Sequence, residues 1–130
     1  MDKKSYTFED FRNIISELRS EHGCPWDREQ TYESMKKPLL DEVQEVTEAV
    51  EHEDMENLCE ELGDVLLNVA LYVQIAAERG DFTMEDVIDG VCEKLIRRHP
   101  HVFGDKKALT PEEGLNLWNE IKSLEKQSKK

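Results

Sequence analysis

The sequence has 130 residues and a mass of 15.2 kDa, enough for one compact domain. A hydrophobic content of 38% permits a single core, while 36% charged residues and a mean hydropathy of −0.71 indicate a very polar surface. The longest nearly apolar stretch, residues 65–77, has 13 residues and is too short to span a membrane. A net charge of −13 argues against general nucleic-acid binding, which needs a cationic surface.

The N-terminal residues carry charges with no apolar run behind them, so we expect no signal peptide and a cytoplasmic protein. The three cysteines, Cys24, Cys59 and Cys92, lie more than 30 residues apart and form no C-x-x-C pair. This spacing argues against a disulfide framework or a zinc knuckle. It predicts reduced, partly buried thiols.

Apolar residues recur at helical spacing along the chain, and no alternating strand pattern competes with them. Five helices are predicted, at residues 8–19, 31 to about 51, 55–78, 83 to about 98, and from 110 onward. Residues 21–30 are predicted to form a loop, and the tail from about residue 125 is expected to fray. Pro38 either kinks the second helix or lies in its first turn. The fold class is therefore all-α, a single domain over residues 1–130 whose helical bundle has a core of three or four helices, centred on the second, third and fourth.

Helix starts are marked by capping residues. Asp54 is predicted to be the N-cap of the third helix, and Thr83 with Asp86 resembles a capping box at the fourth. Thr110 followed by Pro111 is a strong start signal for the last helix, because proline is favoured at the first helical position.

Acidic residues are concentrated in the middle of the chain. No Lys or Arg occurs between Pro38 and Glu78. That segment carries twelve carboxylates, at Asp41, Glu42, Glu45, Glu48, Glu51, Glu53, Asp54, Glu56, Glu60, Glu61, Asp64 and Glu78. Such a block repels itself unless it is solvated or neutralised by bound cations.

Two pairs within this block have the spacing of a metal site. Glu42 and Glu45 lie three residues apart on the second helix, and Glu61, Asp64 and Asn68 share one face of the third. An E-x-x-E pair alone is common on solvated helix faces. However, the second pair leads into a nearly all-apolar helix, where an ionised carboxylate needs a partner. Oxygen ligands of this kind suit Mg²⁺ or Mn²⁺ rather than zinc.

Several basic and aromatic residues outside the acidic block are candidates for either a structural or a binding role. Lys94 and Arg98, four residues apart, can hold phosphate oxygens, although cations are favoured in a last helical turn anyway. Trp26 and Trp118 are more often core or interface residues than base-stacking platforms. His99 and His101, which flank Pro100 in a predicted loop, are interpreted as structural.

Four motifs occur in succession: CPWDREQT at 24–31, LLDEVQE at 39–45, EELGDVLLNV at 60–69 and KLIRRHPHVFGD at 94–105. Together they resemble the MazG family of nucleoside triphosphate pyrophosphohydrolases, within the all-α NTP pyrophosphatase superfamily. The resemblance covers about residues 11–118. It implies a helical bundle that forms a homodimer or a dimer of dimers. It also implies Mg²⁺-dependent cleavage of a nucleoside triphosphate to the monophosphate and pyrophosphate, with a role in cleansing the nucleotide pool.

The resemblance also assigns roles to residues. It implies that the metal ligands are Glu42, Glu45, Glu61 and Asp64. Lys94 and Arg98 are then expected to contact the triphosphate and to stabilise the leaving pyrophosphate, and Trp118 to lie near the nucleotide. Asn68, which shares a helix face with Glu61 and Asp64, is a further candidate for substrate binding. Glu42 or Glu45 is the candidate for activating water, and the sequence does not identify which.

Two features depart from or qualify this resemblance. The first acidic motif of the family usually reads E-E-x-x-E, and Asp41 here occupies its first position. The long form of the family carries two such units in tandem and this chain has one, so we expect a stand-alone unit completed by a partner subunit.

Two rival functions stay open: a metal-dependent nucleotide-binding regulator without turnover, and a purely structural helical interaction module. The preferred nucleotide and the attacked phosphorus also stay open.

Overall fold

The computed structural model describes residues 5–128, and within them it is entirely helical apart from turns and connecting segments. Its elements are α1 (Phe8–Leu18), α2 (Pro25–Glu29), α3 (Lys36–Glu51), α4 (Met55–Arg79), α5 (Met84–Arg98), α6 (Pro100–Phe103) and α7 (Pro111–Ser128). The all-α class is confirmed. The described residues contain two more helices than the five predicted, because two short helices lie in segments predicted to be loops.

The chain folds as two compact units. The first ends at Met84 and contains α1 to α4, whereas the second begins at Glu85 and contains the rest of α5 with α6 and α7.

The first unit is organised by an antiparallel hairpin of α3 and α4. The turn between them is closed by hydrogen bonds from the Glu53 N–H to the Val50 carbonyl (3.1 Å) and from the Asp54 N–H to the Ala49 carbonyl (3.0 Å). Glu53 has a φ of 54°, in the left-handed region that usually favours glycine after a helix C-terminus. Asp54 then caps α4, accepting the Asn57 N–H at 3.1 Å as predicted. This tight turn brings the acidic motifs of the two helices side by side.

Helix α1 packs on α4 and completes the core of the first unit. The buried core residues are Ile15, Met35, Ala70, Leu71 and Ile75. The nearly all-apolar segment 65–77 predicts a buried helix, and this prediction is wrong in part, since Leu66 is 47% exposed and Val69 is 38% exposed. The sequence also predicts that helix α5 packs into this core, and this stays a prediction.

The segment predicted as a loop before α3 contains the short helix α2. Pro25 stands in its first turn, where the missing N–H of proline leaves no helical hydrogen bond unmade. The Arg19 side chain contacts the C-terminal end of this helix, where Nη1 donates to the Asp27 carbonyl (2.5 Å) and the Gln30 carbonyl (3.1 Å). It also pairs through Nη2 with the Glu78 carboxylate at 2.9 Å. One buried arginine therefore connects the end of α1, helix α2 and the end of α4.

Helix α3 begins at Lys36 rather than at residue 31. The N–H of Thr31 donates to the Ser34 hydroxyl at 2.8 Å, and the N–H of Ser34 donates to the Thr31 hydroxyl at 3.1 Å. These reciprocal bonds have the capping-box arrangement, but residues 32–35 form turns and the regular helix begins only after them. Pro38 consequently lies in the first turn of α3, which was one of its two predicted places.

In the second unit, α7 starts as predicted. The Glu113 N–H donates to the Thr110 hydroxyl at 3.2 Å, and the Glu113 carboxylate accepts from the Leu109 N–H at 2.7 Å. The tail expected to fray from about residue 125 is helical to Ser128, because the Glu125 side chain is held by two arginines. Residues 129 and 130 lie outside the described range.

Several burial predictions need correction. Cys24 is half-buried, but Cys59 and Cys92 are exposed, and all three are free thiols. Trp26 is 59% exposed, so it is not a core residue. Among the described residues, no helix combines the length and apolar character needed to cross a membrane.

Candidate functional site

The α3–α4 hairpin brings three acidic side chains of the predicted metal site together. Carboxylate oxygens of Glu42, Glu61 and Asp64 all lie within 4.8 Å of one another. The fourth predicted ligand, Glu45, is linked to Glu61 by a hydrogen bond between their side chains. Glu61 is 8% exposed, although it is a carboxylic acid. The two sequence motifs therefore form one acidic cluster, which we define as Glu42, Glu45, Glu61 and Asp64.

Charge repulsion and burial shift the ionisation of this cluster. Burial is the largest cause that raises the pKa of Glu61 to about 7, and the nearby carboxylates of Glu42 and Glu45 are the next largest. Burial, followed by the neighbouring carboxylate of Asp64, also raises the pKa of Glu42. The protonated form of Glu61 can donate to Glu45. In the metal-free protein, protonation of Glu61 relieves the repulsion among these carboxylates. A bound cation would relieve it in the same way.

The donor set fits a hard divalent cation. The Oε2 atom of Glu42 is buried and has no hydrogen-bond partner. Within residues 5–128, no Lys or Arg forms a salt bridge with a member of the acidic cluster. Unpaired buried carboxylates are costly, and a cation bound by oxygen atoms satisfies them.

Asn68 lies one helical turn beyond Asp64, as predicted. Its side-chain Nδ2 donates to the Asp64 carbonyl at 2.9 Å, which fixes the orientation of the amide. The residue is 5% exposed, and its Oδ1 atom has no hydrogen-bond partner. Asn68 thus offers a buried hydrogen-bond acceptor one helical turn after Asp64 of the acidic cluster. The assignment of Asn68 to substrate binding stays a prediction.

The remaining predicted site residues belong to the second unit. Arg98 and Trp118 are brought together, with the guanidinium carbon 4.7 Å from the centre of the indole ring system. Lys94 lies one turn before Arg98 on α5 and is half-buried. Sequence spacing had linked Lys94 to Arg98 but gave no reason to place Trp118 against either of them.

The same unit contains a cavity of about 300 Å³ lined by His99, His101, Pro111, Gly114, Leu115 and Trp118. The ring centres of His99 and Trp118 lie 5.4 Å apart, and those of His99 and His101 are also separated by 5.4 Å. The segment with both histidines, predicted to be a loop, contains the short helix α6. The signal in the sequence was Pro100, which starts that helix.

Glu125 was not singled out in the sequence. Its carboxylate accepts from Nε of Arg97 at 2.7 Å and from Nη2 of Arg98 at 2.8 Å. These two bonds, with Arg97 contributing most, lower the pKa of Glu125 to about 2. No sequence periodicity links residues so far apart, so only the structure identifies this ion-paired group.

Comparison with known proteins agrees with these motifs. The family model of the MazG nucleotide pyrophosphohydrolase domain matches residues 30–103, which include the whole acidic cluster. The chain belongs to the MazG family. A crystal structure of a MazG-related protein from Thermotoga maritima superposes with a TM-score of 0.71 at 33% identity, covering 87% of this chain and 96% of that one.

Curated relatives carry names that match the family. The chain is 49% identical over its full length to a nucleoside triphosphate pyrophosphohydrolase/pyrophosphatase MazG of Thermotoga maritima, covering 49% of that protein. It is 44% identical over 117 residues to a nucleoside triphosphate pyrophosphohydrolase of Escherichia coli, covering 89% of this chain and 44% of that protein. The chain therefore spans about half the length of these MazG-family relatives.

Proposed function

We propose that this chain hydrolyses nucleoside triphosphates to nucleoside monophosphates and pyrophosphate in a Mg²⁺-dependent reaction. The observation that carries the proposal is the acidic cluster, whose carboxylates have no salt bridge among residues 5–128 and lie in a MazG-family domain. A triphosphate is itself anionic, so it can approach these carboxylates only together with cations.

The acidic cluster would hold Mg²⁺ through Glu42, Glu45, Glu61 and Asp64, with Mn²⁺ as a substitute of similar preference. The cation would polarise the phosphoryl oxygens and so favour attack by water. Exposed Glu45 borders the buried part of the cluster, and Glu42 has an unbonded oxygen, so each can accept a proton from the attacking water. Conversion of the residue that acts as base to Gln should lower kcat even at saturating Mg²⁺, where the weaker metal binding of the variant is overcome.

Lys94 and Arg98 would bind the triphosphate and neutralise the charge that develops on pyrophosphate as it leaves. Trp118 would bind near the nucleotide, and the Oδ1 acceptor of Asn68 would receive a hydrogen bond from the substrate. That residues 1–130 form a single MazG-like domain stays a prediction.

We also propose that the protein is a homodimer or a dimer of dimers. Large apolar side chains of the α3–α4 hairpin are exposed to solvent in the single chain, at Leu40, Val43, Leu62, Leu66 and Val69. A stable protein rarely leaves such a surface uncovered. Light scattering that gave a particle of one chain mass, 15.2 kDa, at micromolar concentration would contradict this proposal.

Product analysis tests the reaction. The protein is incubated with Mg²⁺ and a panel of canonical, deoxy and base-damaged nucleoside triphosphates, and products are separated by anion-exchange chromatography. Monophosphate and pyrophosphate should appear together over many turnovers. A preference for damaged bases would support a role in cleansing the nucleotide pool. Diphosphate and phosphate as primary products, or nucleotide binding without turnover, would overturn the proposed reaction.

A further inference from the structure

Arg98 is held at one edge of its guanidinium group by Glu125. Both residues belong to the second unit, on α5 and α7, and their side chains are only 12% and 22% exposed. Besides the 2.8 Å bond from Nη2, the Nε atom of Arg98 lies 3.5 Å from the second carboxylate oxygen. Because water is largely excluded from the pair, its geometry is held more firmly than that of an exposed salt bridge.

Trp118 fixes the same guanidinium group on a second side. The indole lies across its face, at 4.7 Å from the ring centre to the guanidinium carbon. Cation–π attraction and the carboxylate bond together define the plane of the group and its rotation within that plane. In the part of the chain that the structure describes, the Nη1 atom of Arg98 donates no hydrogen bond, so its two protons are available to a ligand.

The charge balance leaves this group attractive to an anion. Glu125 also pairs with Arg97 at 2.7 Å, so two guanidinium groups share one carboxylate. The trio keeps a net charge of +1. A carboxylate paired with Arg98 alone would cancel its charge, whereas here Arg97 takes part of the negative charge.

We propose that Glu125 is a positioning residue that fixes Arg98 against Trp118 and so presents the Nη1 edge of Arg98 to a phosphate group of the substrate. The inference rests on the proposed function, because it takes Arg98 as a triphosphate contact. A long side chain that is already fixed loses less rotational freedom when the phosphate binds, and so stabilises the transition state more.

The test compares Glu125→Gln with Glu120→Gln, a control on the exposed part of the same helix that changes the net charge equally. Glu125→Gln should lower kcat by roughly 10- to 100-fold, as expected for a misplaced catalytic group. Mg²⁺ affinity, measured by calorimetry with the metal alone, should be unchanged. The control should keep the wild-type kcat. A lower KM with an unchanged kcat would instead show that Glu125 competes with the substrate for Arg98, and would overturn the proposal.

A double-mutant cycle shows whether Glu125 acts through Arg98. In an Arg98→Ala background, Glu125→Gln should cause no further loss of kcat, because the group to be positioned is gone. Additive losses would assign Glu125 to general stability and refute the positioning role. Should Glu125→Gln not fold, Glu125→Asp keeps the charge with a shorter reach, and the same cycle applies to it.

A spectroscopic measurement is independent of turnover. In a Trp26→Phe background, Trp118 is the only tryptophan. Glu125→Gln should then change the emission maximum and acrylamide quenching of Trp118, and Glu120→Gln should not. If no nucleoside triphosphate is hydrolysed by the wild type, the proposed function fails, yet this fluorescence change would still show that Glu125 positions Arg98 against Trp118. An unchanged spectrum would refute that positioning.

Discussion

The acidic cluster and the group around Glu125 use the same chemistry in opposite ways. Several carboxylates are crowded around Glu61 without a basic partner among residues 5–128, and its pKa rises to about 7. Two arginines surround the single carboxylate of Glu125, and its pKa falls to about 2. The first group needs a cation from solution, whereas the Glu125 carboxylate is paired within the chain and its two arginines leave one positive charge over. The surrounding charges therefore decide the sign of the ion that each group attracts.

Glu61→Gln should have the largest effect on activity. It keeps the shape of the side chain and removes one ligand charge, so Mg²⁺ affinity and kcat should fall together. A loss of roughly a thousandfold in kcat/KM is expected if the cation supplies several kcal/mol of transition-state stabilisation. Steady-state kinetics with a Mg²⁺ titration measures it. Glu56→Gln, an exposed change on the same helix, is the matched control, and equal activity of the two variants would contradict the ligand assignment.

Arg98→Ala tests the other side of the comparison. Loss of a group that contacts developing charge should cost about 2–4 kcal/mol in the barrier to hydrolysis without changing the products. Unlike Glu61→Gln, it should leave the affinity for Mg²⁺ alone intact, because Arg98 is not a ligand. Kinetics and anion-exchange analysis of the products measure both points. Altered products would show that Arg98 selects the bond that breaks.

The stability of the metal-free protein should depend on Glu61 between pH 4.5 and 7. The folded state holds a proton on Glu61 that the unfolded state releases, so the free energy of unfolding falls as pH rises from the ordinary value of 4.5 through about 7. Glu61→Gln removes this dependence and should raise Tm by a few degrees at pH 8 without divalent ions. Thermal unfolding by circular dichroism, with Glu56→Gln in parallel, checks it. A lower Tm would indicate that Glu61 stabilises the metal-free fold.

Glu125 should show a pH dependence of the opposite sign, confined to acid and made smaller by solvent screening of its more exposed ion pairs. Its pKa is lowered from 4.5 to about 2, so the stability it contributes is fully present above about pH 4.5 and is lost as pH falls through about 2. The difference in Tm between wild type and Glu125→Gln should be constant from pH 5 to 8 and shrink below it. Because the Arg97 side chain is 46% exposed, added salt should weaken its pair with Glu125 and reduce this difference. A difference that persisted at pH 2 would point to packing rather than charge.

Local signals predicted much of this structure. Asp54 and Gly80 define the ends of α4, and the two E-x-x-E/D motifs predicted that the carboxylates converge. The start of α3 was misplaced, since Thr31 and Ser34 form a turn that resembles the beginning of a helix in sequence. The role of Glu125 depends on partners 27 and 28 residues away, and such a pairing has no periodic signature.

The Arg19 side chain has a consequence for local motion. It donates to the backbone of α2 and its following residue and pairs with Glu78 at the end of α4, so three segments share one buried group. These segments cannot open separately without breaking the same set of bonds. Backbone amides of α2 should therefore exchange with solvent deuterium at rates that follow the neighbouring ends of α1 and α4, as one cooperative unit. In Arg19→Ala, α2 should exchange first and independently.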